Sequence, residues 1–208
     1  MRPVLIAVGP FASLRASQAA AAIERGLEAE GFLADLCPAA DGGPGTLETL
    51  LVALGGEAVR GGFALVEDGH TAIAETPVAL AAALDSGASV VVYAGPAADA
   101  PPSKDRRVLV PDARFVLDAL DFNARMLAAR AVITGGAALR PHDLRGTLIS
   151  EVATRARQSG VPCFAIVGRN EVDAFGARIL DLEIVAQAGS AKTIERAAQA
   201  LAPHLPSS

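Results

Sequence analysis

Short apolar runs alternate along this chain with longer stretches whose apolar positions recur every three to four residues. That alternation predicts a parallel sheet covered by helices. Residues 3–8 read as the first strand, buried on both faces because apolar and polar positions hardly alternate. A helix over about 14–30 follows. Ala16, Ala19, Ala20, Ile23 and Leu27 form its inner stripe, with Glu24, Arg25 and Glu28 outside. Ser13 reads as its N-cap and Gly31 as its stop. Residues 32–37 read as the second strand, and 46–54 as a helix closed by Gly55-Gly56.

Further on, 62–66 and 71–75 read as a hairpin across Glu67-Asp68-Gly69-His70, where Asp-Gly supplies the positive φ of a tight turn. A helix over 77–84 starts on a proline, which the first turn tolerates. A buried strand over 89–93 comes next. Residues 94–107 are rich in proline, alanine and charge and read as a loop or linker. A helix then runs from Pro111-Asp112 to about 129. Strands over 131–134, 163–167 and 182–186 alternate with helices over 143–159 and 190–205. The whole of 1–208 therefore reads as a single three-layer, Rossmann-like α/β domain with a largely parallel sheet and a small hairpin.

A chain of 208 residues can bury the core of one medium domain, and 51% hydrophobic against 20% charged residues excludes disorder. The net charge of −5 argues against nucleic acid as a partner, which calls for a basic face. Cys37 and Cys163 each lie in an apolar run beside a proline and read as buried, reduced thiols. No apolar run is long enough to span a bilayer and no cleavable leader opens the chain, so the expectation is a cytoplasmic protein with no membrane partner.

Open parallel sheets take ligands at the carboxyl ends of their strands. Four loops fall there: 9–13, 41–46, 94–96 and 134–137. In the second, Asp41-Gly42-Gly43-Pro44-Gly45-Thr46, glycines let backbone amides converge at a helix N-terminus, where an anion could dock. Farther along, Arg140, His142 and Arg145 cluster just before or at a helix N-terminus, with Ser13 and Arg15 on a neighbouring loop. Guanidinium groups so placed suit a carboxylate or a phosphate. Dinucleotide and P-loop glycine signatures are missing, as is a nucleophile elbow. His70, His142 and His204 have no metal-ligand spacing, so no metal site is expected.

Several segments together resemble bacterial glycerate kinases of the two-domain type: 19–27, Asp41-Gly42-Gly43-Pro44-Gly45-Thr46, Asp68-Gly69-His70-Thr71-Ala72, 116–122, Ala131-Val132-Ile133-Thr134-Gly135 and Gly160-Val161-Pro162. They occur in family order over most of the chain. The resemblance implies ATP-dependent phosphorylation of glycerate with magnesium, using residues around Ser13, Asp41 and Thr134. Ligand-binding candidates are then Ser13, Asp41, Gly42, Gly43, Gly45, Thr46, Thr134, Gly135, Arg140 and Arg145.

The chain departs from the family where charge matters. The family's first loop, Asp-Ser-Phe-Lys-Gly-Ser-Leu, is matched by Gly9, Pro10, Phe11, Ala12, a deletion, Ser13 and Leu14. Its later loop carries glutamate, arginine, aspartate and lysine where this chain has Gly136, Ala138, Arg140 and Thr147. Phosphoryl transfer needs cations on the migrating charge, so weak or absent kinase activity is expected. The alternative is a non-catalytic domain that binds a small anionic metabolite or a partner. The loop 94–107 stands where the resemblance implies most of a second domain. Surface left open by that loss would be covered in a homodimer or by a protein partner.

Overall fold

The structure, a computed structural model, describes residues 2–96, 99 and 107–206. The described residues form two compact units, one running to Ala39 and resuming at Asp121, the other spanning Ala40 to Leu120. Each unit has its own five-stranded sheet.

In the first unit β1 (Val4–Val8) lies between β2 (Ala34–Leu36) and β8 (Ala131–Leu139). β9 (Cys163–Asn170) and β10 (Leu182–Gln187) complete a wholly parallel sheet, in the order β10-β9-β8-β1-β2. The inward residues of β1, Val4, Ile6 and Val8, meet Ile23 and Leu27 of α1 (Ala16–Ala29) and Ile194 and Leu201 of α8 (Ala191–Leu201). Burying each such side chain stabilises by roughly 1.5–3 kcal/mol. α6 (Leu148–Gln158) packs against β8 and β9. Gly26 sits where α1 meets α8, and a Cβ there would lie 2.3 Å from the Glu195 carbonyl oxygen. At the sheet edge, Arg125 of α5 (Phe122–Ala128) grips Asp35 of β2 with Nε and Nη2, at 3.1 and 2.6 Å.

The second unit orders its strands β3-β4-β5-β6-β7. β3 (Gly56–Val59), β4 (Phe63–Val66) and β5 (Thr71–Ala74) are antiparallel; β6 (Val90–Tyr93) and β7 (Val108–Leu109) continue in parallel. One face packs α3 (Pro77–Asp85), burying Ala72, Ala74, Leu80 and Tyr93. The other buries Leu50 of α2 (Thr46–Leu54), Ile73, Val92 and Val116 of α4 (Ala113–Ala119).

The α/β class, the parallel sheet between helices and the small hairpin are as the pattern predicts. The pattern places all strands in one sheet, whereas the structure builds two. Apolar runs announce strands but not which strands pair, and the second unit lies in sequence between β2 and α5. Local differences have local causes. The long helix expected after Pro111 is broken at Asp121, whose φ of 52° is left-handed. β7 and α7 (Ala174–Ile179) are too short to leave a periodic signal. The expected loop 94–107 lies mostly outside the described residues.

Candidate functional site

The sequence-derived candidates fall in both units, and each group is organised by its own unit. In the second unit the glycine loop leads into α2. Gly45 is the N-cap, with φ 96°, and Gly42 has φ 95°, a region open to glycine. A Cβ on Gly42 would stand 2.1 Å from the carbonyl oxygen of Pro111, so the position admits no side chain. The fully buried Thr46 donates from Oγ1 to the Gly43 carbonyl at 2.6 Å, and Asp41 Oδ1 accepts from the Gly43 amide at 3.3 Å.

The amides at the start of α2 already have an anion. Glu75, one residue past β5, accepts through Oε1 from the amides of Gly45 at 2.8 Å and Leu47 at 2.9 Å. An external anion was expected at this helix end, and an internal carboxylate fills that role. Sequence reasoning missed Glu75. The signal was present: an acidic residue directly after an apolar strand, at the end where ligands gather. Asp41 remains exposed.

In the first unit Ser13 is exposed in the turn after β1 and does not cap α1, whose N-cap is Arg15. The Phe11–Leu14 backbone bridge tightens that turn and delays the helix to Ala16. The loop expected after Thr134 is not a loop. β8 runs on to Leu139, pairing Gly136 with Val167 and Leu139 with Asn170. Small side chains explain the extension. A Cβ on Gly135 would come within 1.9 Å of the Ile166 carbonyl oxygen, so this glycine serves the close approach of β8 and β9. Thr134 is fully buried, and its Oγ1 has no hydrogen-bond partner; Tyr93 in the other unit shares that state.

The basic group also differs from expectation. Residues 141–144 form a 3₁₀ turn, and α6 begins only at Leu148, capped by Thr147 Oγ1 receiving the Ser150 amide. Arg145 is exposed ahead of that cap. Arg140, at the end of β8, lies 3.8 Å from Glu171, and Arg169 of β9 lies 2.8 Å from the same carboxylate. Arg169 and Glu171 went unnoticed in the sequence because β9 was read as ending at 167.

The thiols match the sequence reading. Burial pushes the Cys37 thiol up to about 11, against the opposing pull of Arg125, and Cys163 up to about 12. Among the described residues no group of acidic, histidine or cysteine side chains is arranged to hold a metal ion. The donor chemistry at these strand ends, Gly, Ala and Leu where cations and acids would stand, does not fit a magnesium nucleotide. Nor is any described helix long and apolar enough to cross a membrane.

Comparison with known proteins places these features in a family. The glycerate kinase family matches residues 4–98 and 106–206. Among solved structures, the fold is similar to the crystal structure of "putative glycerate kinase 2" from Salmonella typhimurium LT2. The TM-score is 0.71 at 15% identity, covering 98% of each chain, a likeness of fold. No curated protein matches the chain.

Proposed function

Because this chain belongs to the glycerate kinase family, we propose that it keeps the family scaffold while transferring phosphoryl groups from ATP to glycerate weakly or not at all. The observation that carries this reading is the segment from Thr134 to Leu139. It is a buried, paired strand of glycine, alanine and leucine, with an orphaned threonine hydroxyl and no ionisable side chain before Arg140.

Each positioned charge that steadies a transition state contributes on the order of 3–4 kcal/mol. Losing several together removes more rate than a retained scaffold restores. The glycine loop supports the same reading. Its helix-end amides are saturated by Glu75, so they have no unmet demand for a phosphate. In this reading the protein works by binding, either of a small anionic metabolite or of a protein partner such as a second copy of itself.

A coupled assay for ADP release with glycerate, ATP and magnesium tests the proposal. Turnover at the level of a working kinase, abolished by Asp41→Ala, would overturn it; rates indistinguishable from a no-enzyme control support it.

A further inference from the structure

We propose that the carboxyl ends of β8 and β9 form a binding site for a phosphate group, with Arg140 and Arg169 as cationic arms and Glu171 as an internal competitor. β8 and β9 stay paired up to Leu139 and Asn170, and the Glu171 amide donates to the Leu139 carbonyl at 2.9 Å. That bond carries the ladder one step farther and holds Glu171 beside Arg140. Gly135 and Gly168 allow the close approach beneath it: a Cβ on Gly168 would lie 2.5 Å from the Ala137 carbonyl oxygen. The arginines therefore stand on a rigid base.

Glu171 offers one oxygen to each arginine, Oε1 to Arg169 Nε and Oε2 to Arg140 Nε. The triad of one carboxylate and two guanidinium groups sums to one positive charge. The Arg140 pair, at 3.8 Å, is too long for a hydrogen bond. All three side chains are solvent-accessible, at 40% for Arg140, 65% for Arg169 and 37% for Glu171. A guanidinium presents several donors in a planar fork that matches phosphate oxygens. A phosphate between the two arginines meets both forks, as the carboxylate does, with more acceptor oxygens and more charge. The carboxyl end of an open parallel sheet is also where such folds take ligands.

The site goes beyond the reading of activity given above, because holding a phosphate requires no transfer. The test is calorimetric titration of the full chain at low, constant salt with inorganic phosphate, with glycerol 3-phosphate and with glycerate, which lacks a phosphate. Both phosphates are expected to bind and glycerate to bind more weakly. Arg169→Gln and Arg140→Gln should each weaken phosphate by about tenfold, and Glu171→Gln should tighten it by about tenfold. The last variant retains both cations, so its gain decides the matter even if an arginine variant folds poorly. The proposal is overturned if phosphate binds neither the wild type nor Glu171→Gln, if both arginine variants bind as the wild type does, or if glycerate binds as tightly as the phosphates.

Discussion

Glu75 lies against Gly45 at the start of α2, its carboxylate oxygen 2.8 Å from the glycine amide. The same oxygen reaches the Leu47 amide, so one side chain satisfies two donors that a helix N-terminus leaves open. The partial positive charge at that end strengthens both bonds. An anion site inferred from glycine content is thus a closed internal contact.

Glu75→Ala should therefore destabilise the protein by about 1–3 kcal/mol, because the amides lose a charged acceptor. Glu75→Gln retains an oxygen without its charge and should lose less. Urea denaturation followed by far-ultraviolet circular dichroism measures both. Equal stability of the alanine variant and the wild type would show that water replaces Glu75 at no cost.

Thr134→Val should leave stability unchanged or raise it by up to about 1–2 kcal/mol, since the hydroxyl is buried without a partner and valine has nearly the same shape. A loss of stability, read from thermal melting, would mean that the hydroxyl has a bonding role.

Gly26→Ala tests the contact of α1 and α8. In an exposed helix this change would stabilise by about 1 kcal/mol. Here the added methyl meets the Glu195 backbone and the Ala198 side chain at 2.3 and 2.8 Å. The expected result is a net loss of about 1–3 kcal/mol from overpacking, measured by denaturant unfolding.

The thiols supply a pH prediction. Both lie above the ordinary value of 9.0 in the folded chain, so the unfolded chain ionises first. Stability from the neutral thiols is complete below pH 9 and falls as pH rises towards 11 for Cys37 and 12 for Cys163. Ellman's reagent at pH 8 should react with neither cysteine until denaturant is added. Prompt reaction without denaturant would contradict their burial.

The sequence made the strands of both units legible wherever apolar runs exceeded three or four residues, as at β1, β6 and β8. It also placed the hairpin, because Asp-Gly forces a turn. Pairing was not legible. β4 and β1 look alike as strings, and only tertiary contacts assign them to separate sheets. In the site, Asp41 and Gly42 were found through glycine chemistry. The physical reason for Gly42 is the Pro111 carbonyl, a contact across many residues that local reading cannot supply. Glu75, Arg169 and Glu171 escaped because they follow strands whose ends were drawn too early or whose following loops went unread.

The central claim is that the scaffold persists while the charges for phosphoryl transfer are gone. Phosphorus NMR of ATP, magnesium and glycerate, with the protein in molar excess over nucleotide, tests this most directly, because a single slow turnover would be visible. The account predicts that the γ-phosphoryl resonance persists and that no phosphomonoester of glycerate appears beyond a protein-free control. Growth of that phosphomonoester signal at the expense of the γ-phosphoryl, absent in Asp41→Ala, would contradict it.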